Sequence, residues 1–180
     1  MKFKVKDNFD DFMKRFNAFA QSFEPTMQDV MNTLLSDMCE EMKQEIDENR
    51  SQWEESGSAL ELLQLGDDIE YEIAGNHGFI YVGRNTNKIK MEDGRDVNPY
   101  LFIEFGWGIA GEQQPIQYSA QRRWEYNINA HDKAWVFMGY DNRPHKSIGR
   151  VGIDFFYRVV KKYRKIWKQR CVEAFKKNWY

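Results

Sequence analysis

The stretch Asn98-Pro99-Tyr100-Leu101-Phe102-Ile103-Glu104-Phe105-Gly106-Trp107-Gly108 decides how the chain is read. One acid, Glu104, interrupts an apolar run that stops at two glycines flanking a tryptophan. Aromatic and β-branched residues fit a pleated surface, so Leu101 to Phe105 is predicted as a buried strand. Gly106 and Gly108 then permit a turn that other residues make only under strain. An acid at the end of a buried strand is costly unless it is paired or hydrogen-bonded. Glu104 therefore either anchors structure or does chemistry.

Upstream, Lys2 to Lys6 alternates charged and apolar residues and is predicted as a short strand. Phe9, Phe12, Phe16, Phe19 and Phe23 then recur at three- and four-residue spacing, the stripe of an amphipathic helix that either joins the core or faces another subunit. Pro25 is expected to break that helix. Thr26 and Asp29 resemble a capping box that opens a second helix, running to about Trp53. Its apolar stripe includes Met27, Val30, Met31, Leu34, Met38, Met42 and Ile46, and its opposite face is acidic. Ile69–Ile73 and Phe79–Val82 read as a hairpin. Arg84 to Val97 is polar, without an apolar period, and is predicted as an exposed loop.

Downstream, Ile109 to Ala120 is irregular and polar around Pro115, and Arg122-Arg123-Trp124-Glu125-Tyr126 interleaves basic and aromatic side chains. Ala134 to Met138 reads as a strand. Asp154 to Asn178 reads as a long helix with Phe155, Val159, Tyr163 and Ile166 along one side. With no internal repeat and no linker, residues 1–180 are expected to form a single α+β domain. It has a helical N-terminal third (8–53), sheet and loops (56–149), and a C-terminal helix (154–178). The small, mainly antiparallel sheet carries Lys2–Lys6, Ile69–Ile73, Phe79–Val82, Leu101–Phe105 and Ala134–Met138, with the two long helices packed over it.

Hydrophobic content of 42% and charged content of 30% fit a chain that folds around a core. The 16% aromatic content suits a thick core or subunit contacts. A net charge of −2 argues against binding polyanions by bulk electrostatics. Charge is nonetheless segregated: Glu24 to Glu72 holds 15 acids and two bases, and Asp154 onward holds nine bases and two acids. Either the acidic and basic helices lie against each other, within a subunit or across a boundary, or the basic helix faces DNA. Cys39 and Cys171 form no CxxC or Cys/His cluster, so no metal site is expected. No apolar run approaches the roughly 20 residues of a membrane span. The N-terminus has no apolar core of signal-peptide length, and assembly in the cytosol is expected.

Catalysis needs a nucleophile or a metal with a base in reach. His77, His131 and His145 fall in turns or loops, none spaced with an acid or cysteine on a common element. There is no Gly-x-Ser-x-Gly elbow and no Walker loop. Gly106-x-Gly108 lacks the third glycine of a dinucleotide site. Glu104 with Glu112 or Glu125 could imitate a hydrolytic carboxylate pair, but nothing fixes their separation. No catalytic residue and no cofactor is expected. Glu104 is read instead as an anchor whose carboxylate accepts hydrogen bonds from the glycine turn or from Arg122 or Arg123.

Tyr100, Ile103, Glu104, Phe105, Gly106 and Gly108 match the strand-and-turn pattern Tyr-x-x-Phe/Val-Glu-Phe-Gly-x-Gly. Gly149 and Gly152 before Phe155 and Phe156 match a Gly-rich turn leading into an aromatic helix, and Trp135 lies in a matching Trp-containing strand. In this order the elements resemble the neck or minor tail-component proteins of tailed bacteriophages, over roughly Ser56 to Tyr163. Trp107 departs from the small polar residue often found there, and the Pro-rich lead-in to the last helix is missing. The resemblance implies a non-enzymatic virion protein, assembled in the host cytoplasm as a cyclic hexamer or dodecamer at the head–tail junction. Its partners would be itself, head-closure or connector proteins, and tail-tube or tail-terminator proteins. Genomic DNA would pass through the channel without sequence-specific contact, and no membrane is involved. Arg122, Arg123, Trp124, Lys161, Lys165 and Lys168 are candidate subunit or channel contacts. A tail terminator, a small hydrolase using Glu104 and a nucleic-acid-binding accessory protein are the alternatives.

Overall fold

A computed structural model describes residues 5–54, 56–58, 60, 68–90, 94–108, 110, 135–139 and 141–179. In chain order it contains α1 (Val5–Glu48), α2 (Arg50–Trp53), β1 (Ile69–Ala74), β2 (His77–Val82), β3 (Ile89–Lys90), β4 (Asp96–Val97), α3 (Tyr100–Phe105), β5 (Gly106–Trp107), β6 (Trp135–Met138), β7 (Pro144–Ser147), β8 (Arg150–Val151) and α4 (Phe155–Trp179). The class is α+β, with a long helix at each end and antiparallel strands between them, as the sequence implies.

The first departure is α1 itself. It runs unbroken for 44 residues with Pro25 inside it. A proline within a helix removes one backbone hydrogen bond and costs about 3 kcal/mol. Packing on both sides of Pro25 offsets that cost. Before it, Phe19 and Phe23 lie 5.6 and 4.9 Å from the Phe175 ring of α4. After it, Val30 and Leu34 enter the core. Thr26 and Asp29 therefore sit mid-helix rather than at a cap, and the Thr33 hydroxyl donates to the Asp29 carbonyl. Val5 and Lys6 open α1 instead of belonging to a strand, and residues 1–4 of that predicted strand lie outside the described residues.

Three phenylalanines of the stripe stay out of the core. Phe12, Phe16 and Phe23 are 49%, 46% and 49% exposed. The core begins one turn past Pro25. Leu34, Met42, Ile46, Trp53, Ile103, Phe155 and Val159 are almost fully buried there. The Trp53 indole closes one end and donates 2.8 Å to the Ile46 carbonyl.

Helices α1 and α4 pack antiparallel, with the acidic and basic sequences facing each other inside one subunit. Arg158 meets Glu45 at 2.7 Å, Lys162 meets Glu41 at 2.6 Å and Arg170 meets Asp37 at 3.0 Å. These pairs are partly exposed, so each stabilises by only about 0.2–1 kcal/mol. Their main effect is to set the helix register.

The hairpin β1–β2 forms as its alternation predicts, in register Ile69↔Val82 to Ala74↔His77. Tyr71, Ile80 and Val82 pack toward the core. Gly78 lies against the Leu35 side chain, and the Tyr71 hydroxyl reaches Asn32 at 2.8 Å, so the hairpin lies on α1. Arg84 to Val97, predicted as a plain loop, contains the short β3–β4 ladder. Among the described residues the strands form four two-stranded antiparallel ribbons, β1–β2, β3–β4, β5–β8 and β6–β7, rather than one sheet.

The candidate functional site: a carboxylate junction between α3 and α4

Leu101 to Phe105, predicted as a strand, lies in the helix α3. The local cause is Asn98-Pro99. Pro99 holds φ −58 and ψ −28, already helical. The Asn98 side-chain oxygen accepts the Tyr100 N–H at 3.1 Å, and its carbonyl accepts the Leu101 N–H at 3.0 Å. Asparagine and proline at these places are helix-start signals. An apolar run this short has no periodicity that separates strand from helix. Tyr100, Phe102, Ile103, Glu104 and Phe105 are all buried, so α3 is packed on nearly every side.

Placing Glu104 on the last turn of α3 gives it a partner the sequence did not suggest. Its carboxylate accepts the Phe156 N–H at 2.8 Å and the Tyr157 N–H at 3.1 Å. These amides belong to the first turn of α4, which has no intrahelical acceptors for them. The residue that would ordinarily cap such a helix, Asp154, sits at φ +51. Glu104 thus supplies the cap from elsewhere in the chain, and its negative charge faces the positive end of the α4 dipole. The expected arginine partners, Arg122 and Arg123, lie outside the described residues, as does Trp124. The donors observed are helix amides because α3 and α4 meet end to end.

Backbone contacts lock the same junction. The Ile153 N–H donates to the Ile103 carbonyl at 2.9 Å, and the Asp154 N–H to the Glu104 carbonyl at 3.1 Å. Gly106 and Trp107 then pair with Val151 and Arg150. The approach is so close that a Cβ on Gly152 would collide with the Glu104 carbonyl, and one on Gly149 with the Trp107 carbonyl. The Trp107 ring is buried and meets Phe102 edge-on at 5.9 Å. The two sequence patterns, Glu104 to Gly108 and Gly149 to Phe156, are therefore two halves of one interlocked unit.

The remaining candidates divide by position. Tyr100 is buried and its hydroxyl donates to Asp68 at 3.2 Å; burial, then the neighbouring Asp68 carboxylate, pushes its phenol well above the usual range. Trp135 opens β6, opposite Ser147. Lys161, Lys165 and Lys168 are exposed on α4, away from α1. One pair escaped the sequence reading. The His145 ring nitrogen Nε2 lies 2.9 and 3.1 Å from the two Asp141 oxygens, and the ring stacks on Phe137 at 5.5 Å. The i, i+4 spacing across a hairpin turn was the signal. This hydrogen bond is the largest cause holding the Asp141 carboxyl below its usual range. Among the described residues no serine, threonine or cysteine hydrogen-bonds His145, and no group of three or more His, Cys, Asp or Glu is placed to hold a metal ion. The junction at Glu104 holds two chain segments together, its carboxylate accepting two backbone amides of α4.

Compared with known protein families, curated proteins and solved structures, the chain matches none.

Proposed function

We propose that the chain is a structural subunit of the head–tail junction of a tailed bacteriophage, forming a ring around the DNA channel as a neck or tail-completion protein. The observation that carries this reading is the junction at Glu104. The two segments that resemble the neck family, separated by 40 residues or more, pack backbone against backbone as one unit. A scaffold of this kind suits a subunit that bears load without moving. A non-catalytic role is part of this reading, supported by Glu104, the acid most easily read as catalytic, serving as a helix cap. Ring assembly requires that one face of a subunit meet a different face of the next. The half-exposed Phe12 and Phe16 and the outward Lys161, Lys165 and Lys168 offer unlike surfaces for that purpose.

The test is the composition of assembled particles. Purified virions should contain the chain in a fixed multiple of six, released as a closed ring in native mass spectrometry and located between capsid and tail by electron microscopy. Absence of the chain from virions sinks the reading. Location at the tail end of the junction would make it a tail terminator.

A further inference from the structure

The outer face of the β1–β2 hairpin carries a row of rings. Residues alternate across a strand, so His77, Phe79 and Tyr81 share the face turned away from α1. His77 and Phe79 are stacked with centroids 6.4 Å apart, and Phe79 and Tyr81 likewise. Their cross-strand partners on β1 include Glu72, opposite Phe79, and Glu70, opposite Tyr81. Both acids and Phe79 are exposed.

One ring of this row already carries a cation from its own chain. The Arg84 guanidinium lies 4.3 Å from the Tyr81 ring centre, and its nitrogen is 3.7 Å from Glu72. A cation is held between a ring face and a carboxylate, an arrangement in which both attractions add. Phe79, opposite the same Glu72, and His77 beyond it extend the row of rings along the face. Exposed rings beside carboxylates suit cations presented on a rigid, regularly spaced support.

The chain carries such a support. Lys161, Arg164, Lys165 and Lys168 fall at i, i+3, i+4 and i+7 on the exposed side of α4, one face of a helix. None of them makes an ion pair among the described residues, whereas Arg158, Lys162 and Arg170 on the other side are paired with α1. Lys161 and Lys168 are separated by about 10 Å along the helix axis. Flexible lysine stems take up the difference from the longer ring row, two steps of 6.4 Å. The acidic, aromatic face and the basic face lie on different elements, with no ion pair between them among the described residues.

We propose that the outer face of the β1–β2 hairpin docks the basic face of α4 from a second copy of this chain. The contact is heterologous, so it propagates from copy to copy. It rests on the reading of the chain as a ring subunit and identifies the two faces that would join.

Two variants test it. In one, Lys161, Lys165 and Lys168 are changed to glutamine; in the other, Phe79→Ala is combined with Glu72→Gln. All of these side chains are exposed, and circular dichroism checks that each variant folds. The full chain is followed by analytical ultracentrifugation. The unaltered chain should assemble, with association weakened about tenfold or more between roughly 0.1 and 1 M salt. Each variant alone should be monomeric. Mixed, they should form a one-to-one pair that grows no further, since each retains the face the other lacks. Variants that assemble like the unaltered chain overturn the proposed contact and leave the ring reading standing. An open polymer lost in both variants supports the contact and removes the closed ring. An unaltered chain that stays monomeric overturns the contact, and virion composition then decides the ring reading alone. Salt-sensitive binding of duplex DNA by the lysines, without self-association, also overturns it.

Discussion

The carboxylate of Glu104 accepts the backbone N–H of Phe156 at 2.8 Å across 52 residues of sequence. It also accepts the Tyr157 N–H, so α4 begins on a cap that α3 provides. Neither helix is fully defined without the other, and the short α3 is held in place by the long α4.

Removing that cap should be costly. Glu104→Ala leaves two helix amides without this acceptor and should lower stability by about 2–4 kcal/mol. Glu104→Gln keeps one good acceptor and loses the charge, so about 1–2 kcal/mol is expected. Urea unfolding should show the midpoint falling in that order at unchanged slope. Equal losses for both variants would count against the cap.

Glycine at the junction is required by space. Gly152→Ala drives a methyl group into the Glu104 carbonyl and the neighbouring backbone, and should cost about 3 kcal/mol or prevent folding. Gly94 has positive φ but nothing within 4 Å of an added Cβ, so Gly94→Ala should cost only about 1 kcal/mol. Thermal melts of the two variants separate steric from conformational cost. Similar melting temperatures would contradict the close approach.

Pro25 is a standing cost inside α1. Pro25→Ala restores a backbone hydrogen bond and should stabilise the protein by about 1–2 kcal/mol, after allowing for the looser unfolded chain. Denaturant titration measures the gain. A loss would mean that the helix path at Pro25 is needed for Phe19 and Phe23 to reach Phe175.

Alkaline pH should weaken the fold through Tyr100 and Tyr163. Burial, the larger cause, and nearby carboxylates raise both phenols in the folded state, Tyr163 to about 12. Above pH 10 the unfolded chain releases these protons while the folded chain still holds them. Stability is therefore fully present below 10 and falls as pH rises from 10 toward 12. Tyr100→Phe should flatten part of that decline, measured as urea midpoints across the range. An unchanged slope would exclude Tyr100 as a contributor.

Where the pattern was long, the sequence was readable. The hairpin of Ile69–Ala74 with His77–Val82, the helix from Phe155, the apolar stripe from Met27 to Ile46 and the pairing of acidic with basic helices all rest on repeated, local signals. Alternation and helical period accumulate over many residues, so each survives whatever packs around it. Short elements carried no such weight. Leu101 to Phe105 has too few residues for a period, and Asn98-Pro99 outweighed its strand-like composition. The phenylalanine stripe shows a helix face without showing what covers it, and Pro25 shows a helix break unless packing on both sides overrides it.

Sequence by itself determined that Glu104 is a buried acid needing donors, and that Gly106, Gly149 and Gly152 mark special backbone. Only the tertiary structure decided that those donors are the opening amides of α4 and that the glycines face one another's backbone. The physical reason is that hydrogen-bond demand is a property of a residue, whereas the group that meets it depends on which chain ends are brought within 3 Å of each other.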